Sequence, residues 1–144
     1  MKKMPLLATV MSPFPYSVDL DASFDEACEL MGHHNVRHLP VIHEHAIVGV
    51  ITDRDMTSAI NFHSSSASAG SLSVRDLYMS DPYIVSVDEP LDKVLLTMAE
   101  RHIGSAIVTK ADKLVGMFTS VDACRSFGDY LHELFPRRGG GEVA

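Results

Sequence analysis

Thr52, Asp53, Arg54 and Asp55 stand together at the end of a β-branched run, in the segment GVITDRD from Gly49 to Asp55. Four chemistries suit those residue types: a helix cap, a phosphate site, a metal site or a carboxylate acid/base pair. A threonine where a strand opens into a helix offers its hydroxyl and exposed backbone N–H groups to an anion. Asp55, three residues on, lies one helical turn along and faces the same side as Thr52. A carboxylate repels phosphate but suits two neighbouring ribose hydroxyls. Thr-x-x-Asp is therefore read as a phosphate contact plus a ribose contact, with Arg54 as a planar cationic fork that reaches phosphate. The structural reading competes: Thr52 is a good N-cap whose loss costs about 1 kcal/mol, and Asp55 is a first-turn carboxylate favoured by the helix dipole. Both can hold at once. Asp53 and Asp55 make a poor acid/base dyad, because they fall on different helix faces with no nucleophile near them in sequence. No catalytic residue is assigned.

The eight histidines raise a metal reading, chiefly His33, His34, His38, the pair flanking Glu44 (His43 and His45), and His63. Adjacent helical positions point about 100° apart, so His33 and His34 do not share a face. The His43–His45 segment reads as a polar turn with no His-rich counterpart elsewhere. No metal site is expected, and a small metal-dependent enzyme rests on these histidines alone. Cys28 and Cys124 suit apolar helix faces and form no disulfide framework, which favours a reducing cytosol. The methionines, among them Met11, Met79, Met98 and Met117, read as core filler.

The elements that position Thr52 and Asp55 occur twice. At an offset of 67 residues GVITDRD meets GMFTSVD, Gly116 to Asp122. The same offset pairs Pro15-Tyr16 with Pro82-Tyr83, Val18 with Val85, Asp25 with Asp92, Met31 with Met98 and Val41 with Val108. At the front, VMSPFP resembles YMSDP with one residue missing. Such agreement marks an internal duplication. Each copy reads β-α-β-β-α, an α/β (α+β) unit. Helix starts fall near Asp21–Ser23 and Asp88–Pro90, followed by apolar residues at helical spacing. Two nearly continuous apolar strands then follow in each copy. Repeat 1 is set at 9–62, a Ser/Ala/Gly-rich linker at 63–73, repeat 2 at 74–127, and a helix turn with a disordered tail at 128–144. Each unit alone is too small to bury much surface. The expected arrangement packs the two copies face to face around a pseudo-two-fold axis.

The 144 residues carry 46% hydrophobic and 22% charged side chains and a net charge of −7. No apolar run approaches the roughly 20 residues that cross a bilayer. Basic residues are scattered, so neither nucleic acid nor a membrane is an expected partner. The N-terminal stretch is broken by Pro5 and Pro13 and reads as mature protein. A soluble, cytoplasmic protein is expected.

The duplicated segments resemble the CBS domain, arranged as a tandem pair (a Bateman module) of the stand-alone type. The resemblance is carried by VMSPFPYSV, NVRHLPVI and GVITDRDM in copy one, and by YMSDPYIV, HIGSAIVT and GMFTSVDA in copy two. It spans Thr9 to Phe127. It implies two clefts for an adenosine-containing ligand, with Thr52 and Thr119 at phosphate and Asp55 and Asp122 at ribose. It further implies an adenine pocket from Tyr16, Ser17 and Val18 or from Tyr83, Ile84 and Val85, with Arg37 and His38 at phosphate. In copy two Gly104 and Ser105 replace Arg37 and His38, and Val121 replaces Arg54. The clefts are therefore expected to be unequal, and which one keeps the phosphate contacts is open at this point. The resemblance implies a regulatory homodimer without a catalytic cofactor, sensing AMP first, then ADP or ATP, with S-adenosylmethionine and NAD behind them. Its partner would be a regulated enzyme or transporter. The rival reading is an interaction or dimerisation module with a vestigial pocket.

Overall fold

The computed structural model describes residues 3–13, 15–62 and 71–138. Most of the expected linker (63–70) and the end of the expected tail (139–144) lie outside the described residues.

Copy one opens with a one-turn helix α1 (Leu7–Val10) and a short strand β1 (Ser12–Pro13). It continues through β2 (Val18–Asp19), α2 (Phe24–His34), β3 (His38–His43), β4 (Ala46–Thr52) and α3 (Asp53–Phe62). Copy two repeats the order: α4 (Val74–Leu77), β5 (Met79–Ser80), β6 (Ile84–Ser86), α5 (Leu91–Arg101), β7 (Ser105–Lys110), β8 (Lys113–Thr119) and α6 (Ser120–Leu134). Among the described residues there are thus two β-α-β-β-α units, each with an added opening helix and strand.

Local chemistry accounts for the boundaries. Ser23 caps α2 by accepting from the Glu26 N–H at 3.1 Å, and Asp25 and Glu26 meet the positive end of the helix dipole. Left-handed Asn35 and His102 end α2 and α5. From there the chain turns into β3 and β7. The polar segments between paired strands are two-residue hairpin loops. Glu44 and His45, and likewise Ala111 and Asp112, all have positive φ. That geometry matches the twist of the flanking strands.

There are two sheets, in the orders β2-β3-β4-β5 and β1-β8-β7-β6. In each, the first long strand lies parallel to the short strand before its helix and antiparallel to the next. The edge strand comes from the other copy: β1 pairs with β8, and β5 pairs with β4. The opening helices cross over too. Leu7 of α1 is fully buried in the second core, and Val74 of α4 is fully buried in the first. Each such side chain contributes roughly 1.5–3 kcal/mol. A smaller core of Val50, Ile107 and Met117 joins the two sheets.

These elements correct the alignment of the opening segments. α1 and β1 map onto α4 and β5 at the same 67-residue offset as the rest, so the repeat runs without a gap. Ser12 matches Met79, not Ser80. Not every methionine fills a core either: Met98 and Met117 are buried, but Met79 is exposed. Cys124, expected on an apolar face, is exposed as well. α6 continues beyond Phe127 to Leu134, so about two turns run where a single turn was expected. No described helix is long and apolar enough to cross a membrane.

Candidate functional site

Thr52 ends β4 and Thr119 ends β8, each where the strand opens into a helix. Both Thr-x-x-Asp segments are reciprocal capping boxes. The Thr52 N–H donates to Asp55 Oδ2 at 2.9 Å, and the Asp55 N–H donates to Thr52 Oγ1 at 3.1 Å. In copy two the Thr119 N–H donates to Asp122 Oδ2 at 2.9 Å, and the Thr119 hydroxyl reaches the same oxygen at 3.3 Å. The capping role is therefore realised in both copies. It consumes one carboxylate oxygen and leaves the other.

The second oxygens differ. Asp122 is 4% exposed, the only buried charged residue among those described. Its Oδ1 accepts from the Ser12 hydroxyl at 3.3 Å and lies 3.5 Å from Arg125 Nη1. Asp55 is only part-buried, and its copy lacks both partners, since Met79 and Ser58 stand at the positions matching Ser12 and Arg125.

A cavity of about 550 Å³ opens beside Asp122. Copy two contributes Thr119, Ser120, Val121, Asp122 and Arg125 to its wall. Copy one contributes Ser12, Tyr16, Asn35, Arg37 and His38. The basic residues of copy one thus stand with the Thr-x-x-Asp of copy two. β1, paired with β8, brings Ser12 to this wall, and Arg37 and His38 line it from the α2–β3 turn and the start of β3. Thr52, Arg54 and Asp55 do not line this cavity, and Arg54 is exposed on the first turn of α3.

Of the residues expected around adenine, Tyr16 alone lines the cavity. It is stacked on His34 at 3.5 Å between ring centroids, which leaves its opposite face available. Val18 and Val85 are buried in the two cores, while Ser17 and Ile84 are exposed. Tyr83 lies under the Arg101 guanidinium at 5.2 Å, a cation–π contact. Ser12, Asn35, Ser120 and Arg125 were missed as site residues. Arg125 alone carried a signal, its position one turn beyond Asp122 on the same helix face.

His38 sits where the copies meet: a Cβ added at Gly104 would lie 3.7 Å from its Nε2. Burial pushes its pKa below the ordinary value; Asp53 and Asp55 oppose the shift and Arg37 adds to it. No group of three or more His, Cys, Asp or Glu arranged to hold a metal is found among the described residues.

The paired sheets and the repeated Thr-x-x-Asp turn define a class. The family model described as CBS domain matches residues 7–61 and 74–129, and the chain belongs to the CBS domain family as a tandem pair. It is 29% identical over 125 residues to the L-aspartate semialdehyde sulfurtransferase of Methanocaldococcus jannaschii, across 85% of this chain. It spans only 23% of that relative's length. Among solved structures, it is similar to the CBS domain pair of protein MJ0100 in complex with 5′-methylthioadenosine and S-adenosyl-L-methionine. That match has 27% identity and a TM-score of 0.78, and covers 89% of this chain and 99% of that one. It is also similar to CBSX2 in complex with AMP, at 25% identity and a TM-score of 0.72, covering 88% and 98% of the two chains.

Proposed function

We propose that this chain is a ligand-sensing regulatory module, acting in the cytoplasm without catalysis of its own. It binds an adenosine-containing nucleotide between its two repeats and passes its bound state to a partner enzyme or transporter. One observation carries this reading: Arg37 and His38 of copy one share a cavity wall with Thr119 and Asp122 of copy two. The N-terminus of α6 and the Arg37 guanidinium receive phosphate, and His38, which burial holds toward its neutral form, adds a ring N–H donor. Asp122 receives ribose, and the free face of Tyr16 receives the base. AMP is favoured, then ADP or ATP, because the cleft gathers cationic side chains around a helix N-terminus. The solved relatives with AMP and with S-adenosyl-L-methionine support the adenosine class. The cleft at Thr52 and Asp55 binds more weakly, as Gly104 and Ser105 replace the basic pair there.

The working unit in this reading is a homodimer. α6 leaves Phe127, Leu131 and Leu134 exposed along one side, with Phe135 exposed just beyond its end, an apolar stripe that a second copy covers. The same stripe supports the rival reading, an interaction module whose pocket is vestigial.

A thermal-shift panel with AMP, ADP, ATP, S-adenosylmethionine and NAD separates the two. A ligand at 100 times its Kd adds about 2.7 kcal/mol per site, which raises the midpoint by roughly 5–10 °C in a module of this size. The sensor reading expects that rise with an adenine nucleotide and its loss in Asp122→Asn. No rise with any of the five compounds would leave the interaction module as the better account.

A further inference from the structure

Arg125 stands at the junction of two cavities. It lines the cleft described above and also a neighbouring cavity of about 510 Å³ between α1 and α6, where Asp129 and Glu133 are found. Its side chain is 66% exposed, against 5% for its partner Asp122. Their separation of 3.5 Å exceeds the roughly 2.7–2.9 Å of a strong charge-assisted hydrogen bond. In copy one the matching residue is Ser58.

The two oxygens of Asp122 are unequally engaged. Oδ2 is committed to the cap of α6, and Oδ1 is shared between Ser12 and Arg125. A ribose hydroxyl reaching Oδ1 competes with those two for the same oxygen. Arg125 is the weaker hold, being long and mostly in water. Once released, the guanidinium has the carboxylates of Asp129 and Glu133 on one side and a ligand phosphate on the other, and the phosphate, with a charge of about −1.5 to −2, is the stronger partner. The neighbouring cavity already presents carboxylates, which repel a phosphate from that side and keep it in the cleft with Arg37.

We infer that Arg125 is the specificity-determining residue of this cleft, exchanging Asp122 for the 5′-phosphate of the ligand and so favouring a phosphorylated nucleoside over an uncharged one. This rests on the nucleotide reading above and deepens it.

Calorimetry of AMP, 5′-methylthioadenosine and S-adenosylmethionine against wild type, Arg125→Ser and Arg125→Lys tests the exchange. Arg125→Ser installs the copy-one residue, and the thermal midpoint without ligand checks that α6 remains folded. The expected result is a loss of about tenfold or more for AMP, the scale of one charged hydrogen bond. Affinity for 5′-methylthioadenosine stays within about twofold of wild type, and Arg125→Lys recovers part of the AMP loss. Equal losses for AMP and 5′-methylthioadenosine would overturn the inference, as would a loss confined to S-adenosylmethionine or no loss at all. Any of those results leaves the nucleotide reading standing, because wild type still binds. Wild type binding none of the three would overturn both.

Discussion

Asp122 caps α6 with one oxygen and turns the other toward Ser12 and Arg125. The cap thus leaves one oxygen of the carboxylate for a further contact, in line with the sequence reading that capping and ligand binding can hold at once. The capping share is testable through the hydroxyls. Thr52→Ala removes the acceptor for the Asp55 N–H and is expected to cost about 1 kcal/mol by denaturant unfolding. His38 brings a pH dependence. Its folded pKa is lowered by burial, so the unfolded chain takes up the proton first. Its contribution to stability is present above the ordinary histidine range and is lost as pH falls through about 6.5 and below. The thermal midpoint of the unliganded protein should fall over that window, and His38→Gln should flatten the fall. An identical profile in the variant would remove His38 as its cause.

Gly49 and Gly116 hold the exchanged edges at the scale of elements. A Cβ at Gly49 would run into the Met79 backbone carbonyl and the Tyr78 ring, where β5 crosses β4. At Gly116 it would meet the Met11 sulfur at 2.5 Å and the Ser12 carbonyl at 3.0 Å. A methionine side chain yields more readily than a backbone carbonyl. Gly49→Ala is therefore expected to destabilise by about 2–3 kcal/mol, and Gly116→Ala by less; equal costs by urea unfolding would contradict this. The duplication, the hairpins and the two long strands of each copy were legible in the sequence, because β-branched runs and helical spacing are local signals. The exchange of β1 and β5 was not. Strands of two residues carry no alternation to read, and Met11-Ser12 and Met79-Ser80 invited an alignment one residue out of step. The division of the cleft was hidden for a related reason. Arg37 and Thr119 are neighbours only through the packing of the two sheets, which no spacing along the chain records.

Across the whole molecule, the crossed openings and the joining core of Val50, Ile107 and Met117 make each repeat depend on the other. A ligand held by both copies at once is placed to change how they pack, and any such change reaches α6, which carries Asp122 at one end and the exposed apolar stripe along its length. If that stripe is covered by a second copy, Leu131→Glu should weaken self-association by about tenfold or more, read as mass against concentration by light scattering. Wild type that is monomeric at every concentration would assign the stripe to a different partner.

The central claim is that one cleft, at Thr119 and Asp122, takes the charged nucleotide. Its most direct measurement is the calorimetric stoichiometry and affinity of AMP for wild type, Asp122→Asn and Asp55→Asn. The account predicts one tight site per chain, lost in Asp122→Asn and kept in Asp55→Asn. Loss in Asp55→Asn with Asp122→Asn unaffected, or two equal sites per chain, would contradict it.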